Sequence, residues 1–389
     1  MTESAGSRDP ATSCPSYPGT KENTTDMRVT HGAPLAPMTT LGIGGPAAAF
    51  VDLHDAADFP SFVELAGTYD DEPVCLGAGS NVLVSDLGCA SAVMRMNTRG
   101  VRWAGETADG RTLIEVQAGH PLVDLVATTI DEGLSGMEML VGIPGTTGAT
   151  PVQNVGAYGQ EISDTLVEVT AWDWALGRSV TMEAAACGLG HRTSVFKGSR
   201  RWTLLKLVFG LRRSELSAPV TYRLVATELD VPVGSRVPLS EAAGAVLVVR
   251  RSKGMVLGCC DTDRRSVGSV FLSPEITPVQ AERLRARNAP VNEFPDGSTR
   301  VSASWLIRQA GFELGAPIVE GVRISSLHYT LVADEGASAA EFTRAIDIVQ
   351  EQALRRTGVR LTPEVDFVGE RPSDPSSGRG RATSWPVQA

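Results

Sequence analysis

Apolar residues in this chain recur at two spacings, and the alternation between them predicts a protein of mixed helices and strands. Val74, Cys75 and Leu76 form a short apolar run ending at Gly77-Ala78-Gly79, the pattern of a buried strand feeding a tight turn. Leu113 to Ala118 and Leu205 to Leu211 alternate at period two and predict half-buried strands, the second with Leu205, Leu207, Phe209 and Leu211 on one face. Leu122, Val123, Val126 and Ile130 recur at helical spacing before Gly133. Phe342, Ile346, Val349 and Ala353 do the same behind Ser338 and Glu341, whose spacing suits a capping box at a helix N-terminus. Breaks at Thr98–Gly105 and Ser214–Pro219 are candidate domain boundaries. Residues 1–30 and 371–389 are rich in Ser, Thr, Pro and Gly and predict disordered tails. No internal repeat lies between them, and an α+β, multi-domain protein follows.

Composition narrows the partners. A chain of 389 residues, 42% hydrophobic and 21% charged, is long enough for two or three packed domains. A net charge of -10 and a pI near 5.1, without a Lys/Arg run, argue against nucleic acid or a polybasic membrane contact. No apolar stretch approaches the roughly 20 residues of a membrane span, and the N-terminus lacks the apolar core of a signal peptide. The expected location is the cytoplasm. Six cysteines (Cys14, Cys75, Cys89, Cys187, Cys259 and Cys260) show no framework spacing and read as thiols in a reducing compartment. Five scattered histidines make no metal site with them.

The chemistry concentrates in loops of small residues. In Leu76-Gly77-Ala78-Gly79-Ser80-Asn81 the glycines let backbone N–H groups approach a phosphate, although such a turn after a strand is often only a turn. Residues 142–164, GIPGTTGATPVQNVGAYGQEISD, are too small and uncharged to hold a core by side-chain packing. They suit backbone wrapped around a large planar or phosphorylated ligand. TTLGIGGPA at 39–47 has the same character, and three such loops suggest an extended dinucleotide cofactor. Taken alone, the polar residues farther along have ordinary readings. Ser269 after Gly268 is a turn serine, Arg192 a surface cation and Glu364 a loop acid. Tyr222 is a strand aromatic, Lys253 a solvated lysine and His328 a satisfied strand histidine.

Seven motifs change those readings. TTLGIGGPA, LGAGSNVLVSD, PVQNVGAYGQE, RRSKGMVL, SVGSVF, SASWLIRQAGF and TPEVDFVG occur in the order found in the UDP-N-acetylenolpyruvoylglucosamine reductases, and the chain resembles that family from about Leu35 to Gly369. PVQNVGAYGQE is the most specific of them. The resemblance implies a vanillyl-alcohol-oxidase-type, two-part FAD-binding fold with a C-terminal α+β substrate-binding domain. Residues 31–97 would form the first FAD-binding subdomain, completed by 357–370, with 98–230 the second and 231–356 the substrate-binding domain.

The implied activity is NADPH-dependent reduction of UDP-N-acetylglucosamine enolpyruvate to UDP-N-acetylmuramate in peptidoglycan synthesis, with noncovalent FAD. The implied protein is a monomer that takes a UDP-sugar. The family's roles fall on Ser269 as proton donor and on Arg192 with Glu364 as stabilisers of the enolate. Tyr222 and Lys253 would grip the UDP portion, Tyr222 marking the tyrosine-loop subtype, and His328 would lie near substrate. The cofactor would be held by Gly77, Ala78, Gly79, Ser80, Asn81, Gly142, Pro144, Gly145, Gly148, Ala149, Gln153, Asn154, Gly156 and Ala157.

The chain departs from the family pattern at several places. His191 replaces a tyrosine, Val270-Phe271 an aromatic pair, Ser273 an asparagine and Leu327 a lysine, and the run Gly119-His120-Pro121 lacks the usual bulky residue. These departures suggest altered substrate contacts. They support, as the alternative, a paralogous flavin reductase or oxidase acting on another acidic or nucleotide-linked substrate. A flavin-binding protein without turnover is disfavoured by the intact Ser269, Arg192 and Glu364.

Overall fold

The computed structural model describes residues 27–256, 258, 263–294 and 296–369. Most of the first expected tail, all of the second, Cys14, Cys259 and Cys260 lie outside the described residues. Val29 and Thr30, expected within the first tail, are instead paired with Val51 and Phe50.

The first sheet contains β1 (Val29–Pro34), β2 (Pro46–Leu53), β3 (Val74–Leu76) and, beyond the short β4 (Val82–Val84), β5 (Cys89–Met96). The order is β1-β2-β5-β3, antiparallel at β1 and parallel elsewhere. Parallel neighbours need a crossover, and α1 (Phe59–Ala66) supplies one, burying Phe59, Phe62 and Ala66.

The second sheet is antiparallel, ordered β12-β11-β13-β7-β6. Its strands are β6 (Val101–Glu106), β7 (Thr112–Gln117), β11 (Leu166–Asp173), β12 (Arg178–Glu183) and β13 (Trp202–Arg213). Between β7 and β11 run α2 (Leu122–Asp131), β8 (Leu134–Ser135) and the hairpin of β9 (Gly156–Ala157) with β10 (Gln160–Glu161). The alternation read in β13 needs correction at Leu205. Thr170 faces Lys206 and Ala171 faces Leu204, so Leu205 is the extra residue of a bulge. A bulge inverts the side-chain parity. Leu204 therefore joins Leu207, Phe209 and Leu211 in the core, and Leu205 is left half-buried. The stripe on α2 also shifts. Leu122, Leu125, Val126 and Thr129 are buried, whereas Val123, one residue off that face, is 40% exposed.

The C-terminal part begins with α3 (Arg223–Glu228) and α4 (Leu239–Ser252), which pack on each other and on Met139 in one apolar cluster. The boundary expected at 230 thus falls between two helices of a shared core. There follow α5 (Pro278–Arg285), β14 (Val291–Glu293), β15 (Thr299–Val301), α6 (Ala303–Gln309) and the β-meander β16 (Pro317–Val319), β17 (Val322–Ile324) and β18 (Leu331–Ala333). α7 (Ala339–Thr357) buries Phe342, Ile346, Val349 and Ala353 against this layer, and its N-terminus carries the expected Ser338–Glu341 capping box. Asp86 adds two further caps, accepting from Ala339 and Ala340 N–H at 2.7 and 3.0 Å. The last strand, β19 (Asp366–Val368), returns to pair in parallel with β4.

Candidate active site

A cavity of about 490 Å³ opens where the two sheets meet the C-terminal part. Its walls are the turn after β3, the loop 143–158, the end of α4, the segment 263–269, His328 and the approach to β19.

The turn at 77–81 is shaped as much by protein packing as by any ligand. A Cβ on Gly79, where φ is +63°, would sit 2.0 Å from the Met38 carbonyl oxygen, and one on Gly77 would meet Thr146 Oγ1 at 2.5 Å. The N–H groups of Ala78, Gly79, Ser80 and Asn81 nevertheless donate to no described residue. Four successive free donors on a cavity wall are an anion cradle, which fits the pyrophosphate of a dinucleotide. Asn81 joins the turn to two other walls, donating to Gln153 Oε1 at 3.0 Å and to the Glu364 carbonyl at 3.3 Å.

The loop 142–164 supports itself with short helical turns at Thr147–Ala149 and Pro151–Gln153. Pro144, Gly145, Ala149, Gln153, Gly156 and Ala157 line the cavity; Gly142, Gly148 and Asn154, expected with them, do not. Gly148 packs against Ala118, where a Cβ would come within 2.5 Å. The Gly142 carbonyl accepts from Arg250 Nη2 at 3.1 Å. Buried Asn154 lies in the left-handed region at φ +43° and spends its amide on Glu161, Ser163 and the Gly190 carbonyl. Cys75 borders the cavity, open to it yet ringed by protein, and burial pushes its thiol up to about 12.

Arg192, Glu364 and Ser269 come from three distant parts of the chain to the same cavity. Arg192 adopts φ +53°, its Nη2 donates to the Gly156 carbonyl at 2.8 Å, and its Nε lies 3.3 Å from Glu364 Oε1. Glu364 is 9% exposed; burial holds its carboxyl above the usual range, offset in part by the Arg192 and Lys197 charges. Lys197 Nζ bonds the Glu364 carbonyl at 2.9 Å and pairs with Asp366 at 2.9 Å. Ser269 sits on the turn before Val270. Ser266 is the capping serine there, accepting from Gly268 N–H at 3.0 Å. Thr330 straddles the position, donating to the Gly268 carbonyl at 2.5 Å and accepting from Val270 N–H at 3.2 Å.

Tyr222, Lys253 and His328 line another part of the wall. Tyr222, 41% exposed, meets Tyr158 edge-on with ring centroids 5.1 Å apart. Burial lowers the Lys253 pKa, and the Arg250 charge adds to the effect. Burial also takes His328 down to about 4, leaving a neutral imidazole at neutral pH whose Nδ1 lies 3.3 Å from Ser325 Oγ.

Arg250 was not singled out from the sequence. It is 8% exposed, borders the cavity, and has backbone carbonyls and the Tyr158 hydroxyl as partners, while its Nε has none. Its place one helical turn before Lys253 was the available signal. Arg192, Arg250, Lys253 and Arg264 line the cavity beside three carboxylates, of which Glu364 faces Arg192, Asp366 pairs with Lys197, and Asp263 pairs with Arg323 at 2.9 Å. The overall charge of -10 does not describe this site. His191, Val270, Ser273, Leu327 and His120, where the chain departs from the family pattern, all lie off this wall.

Residues 47–183 match the model of an FAD binding domain and residues 261–368 that of the C-terminal domain of UDP-N-acetylenolpyruvoylglucosamine reductase. The fold and site define a flavin-dependent oxidoreductase with the vanillyl-alcohol-oxidase-type arrangement of its FAD-binding part. The chain is 41% identical to a UDP-N-acetylenolpyruvoylglucosamine reductase of Salinispora arenicola, over 88% of this chain and 96% of the relative. It is also 41% identical to one of Thermobifida fusca, over 87% and 98%. A crystal structure of the reductase from Thermus caldophilus shares the fold with a TM-score of 0.60 at 23% identity, covering 88% of this chain and 99% of that one. This chain belongs to the UDP-N-acetylenolpyruvoylglucosamine reductase family. Among the described residues no helix is long and apolar enough to cross a membrane.

Proposed function

We propose that this chain reduces UDP-N-acetylglucosamine enolpyruvate to UDP-N-acetylmuramate in peptidoglycan synthesis, with FAD bound noncovalently and NADPH as electron donor. The observation that carries the reading is the meeting of Arg192, Glu364 and Ser269 on one cavity beside the free N–H row of residues 78–81. That row, with Gly77, Pro144, Gly145, Ala149, Gln153, Gly156 and Ala157, would hold the cofactor. Bound FAD would carry a hydride from NADPH to the terminal carbon of the enolpyruvyl double bond. Negative charge then develops toward the substrate carboxylate. Arg192, held by the Gly156 carbonyl and Glu364, supplies positive charge for it. Ser269 gives a proton to the adjacent carbon. Lys253 and Arg250 face the diphosphate with Tyr222 over it, and neutral His328 offers hydrogen bonding without charge.

The decisive experiment is anaerobic. Adding UDP-N-acetylglucosamine enolpyruvate to the NADPH-reduced protein is expected to reoxidise the flavin rapidly. Failure to do so, with other acidic substrates succeeding, would favour a paralogue of different specificity.

The purified protein is expected to release all its flavin on acid precipitation. No histidine lies in the loops 76–86 or 142–164 to carry a covalent flavin link. Yellow colour retained in the pellet would contradict the noncovalent assignment. Lys253→Ala and Tyr222→Phe are expected chiefly to raise KM, since gripping the UDP end is largely uniform binding. A fall in kcat at unchanged KM would contradict that role.

Thr330→Val removes both hydrogen bonds that flank Ser269, leaving the half-buried Gly268 carbonyl without its partner and the buried Val270 N–H unpaired, the latter at a cost of about 1–3 kcal/mol. It is expected to slow substrate reduction by up to about 10²-fold through misplacement of the serine. Thr330→Ser should restore most of the rate. A melting-temperature loss with no change in the ratio of the two half-reactions would make Thr330 purely structural.

A further inference from the structure

Ser269 belongs to two cavities. The second, of about 70 Å³, is bounded by Ser269, Ser273, Ser302, Ser304 and Tyr329, with apolar side chains closing the remainder. Ser269 is the residue its wall shares with the principal cavity. Ser273 and Ser304 are exposed and Ser302 is half-buried, so this space reaches solvent. Ser302 Oγ accepts from Trp305 N–H at 3.3 Å as the cap of α6, which leaves its own O–H available to donate. A water needs about 30 Å³ in the liquid and two to four polar partners. The second cavity offers both for a short file of waters.

The chemistry proposed for Ser269 makes such a file useful. A serine that has given up its proton is an alkoxide, a base too strong to persist in a dry site. Ser269 is exposed in the structure. With substrate and cofactor filling the principal cavity, that route to water would close, and the second cavity would offer the proton a way back.

We propose that the serine-lined cavity is the proton supply of Ser269, a hydrated duct from solvent to the rear of its hydroxyl. The inference rests on the reading of Ser269 as the proton donor. The Ser269 O–H bond breaks as the C–H bond forms on the substrate. A water in the duct then transfers a proton to the serine oxygen. The hydroxide left behind takes a proton passed inward from solvent at the Ser273–Ser304 rim. One proton leaves bulk water per turnover, and nothing in the duct is oxidised or reduced. Ser273 and Ser304 are thus positioning residues that act through water.

Two isosteric pairs test the duct. Ser273→Val with Ser304→Val fills the rim with apolar methyls, whereas Ser273→Thr with Ser304→Thr adds nearly the same volume and keeps both hydroxyls. Single-turnover flavin reoxidation by substrate is measured in H₂O and D₂O, with flavin reduction by NADPH and thermal melting as controls. The valine pair is expected to reoxidise about 10-fold more slowly or worse, within the ~10²–10⁴ that the proton donor itself contributes. Its solvent isotope effect should exceed that of the unmodified protein. The threonine pair should stay close to the unmodified rate, and flavin reduction should be unchanged in both. Equal reoxidation rates for the two pairs, fast or slow, overturn the duct. Ser269→Ala separates the two levels of the argument. If that variant turns over normally the donor assignment fails, whereas a crippled Ser269→Ala beside equal pairs removes only the duct.

Discussion

Replacing Ser269 by alanine is expected to slow reduction of the enolpyruvyl substrate by about 10²–10⁴-fold while leaving flavin reduction by NADPH unchanged. The alanine keeps the backbone and removes only the hydroxyl, and with it the proton. A serine at a turn could instead be a local cap, whose loss would cost about 1 kcal/mol of stability with near-normal turnover. The structure gives that task to Ser266, whose hydroxyl takes the Gly268 N–H. Ser269→Cys, with a more acidic proton at similar size, is expected to recover part of the rate. Stopped-flow rates for each half-reaction, read beside melting temperatures, decide the matter, and normal turnover by the alanine variant would remove Ser269 from the mechanism.

The second large effect concerns the Arg192–Glu364 pair. Arg192→Ala should cost substrate reduction about 10²–10³-fold, the usual loss for one preorganised group facing developing negative charge. Equal losses in both half-reactions would point to a structural role. Glu364→Gln should also cripple turnover, but its stability effect has the opposite sign. Burial raises the folded pKa of Glu364 above its ordinary 4.5. A carboxyl raised in this way contributes stability below the unfolded pKa and loses it as pH climbs through the folded value. Above that value the protein carries a buried charge that glutamine would not. The melting temperature of Glu364→Gln relative to the unmodified protein is therefore expected to rise as pH climbs from the ordinary 4.5 through the raised folded value. A difference that falls over this range would mean that the ion pair outweighs desolvation.

Much of the frame was legible because it depends on local chemistry. β3 ends at the glycine turn that follows its apolar run, and α7 starts at a capping box visible four residues at a time. What stayed hidden depends on distant partners. Nothing near Leu205 announces the bulge that sends Leu204 into the core, since the mismatch exists only against β11. Gly148 looked like a cofactor glycine, but the constraint on it is Ala118. The catalytic candidates became legible through whole-motif resemblance, because a single Ser, Arg or Glu carries no signal of its own. Thr330 had no signal at all. Its importance is that it bonds the residues on both sides of Ser269, 60 and 62 positions away in the chain.

The bond from Asn81 to the Glu364 carbonyl spans 283 positions, and β4 finds its partner only in β19. A ribosome adding about 5–20 residues per second takes roughly 15–60 s to travel that distance. For that interval the newborn glycine turn lacks one wall of its pocket and β4 has an open edge, the kind of surface that invites mispairing. Flavin loading into a complete site is consequently a late event, after the final strand has emerged. Proteolytic clipping shortly before Thr362 would take with it both the carboxylate that faces Arg192 in the cavity and the strand that pairs with β4.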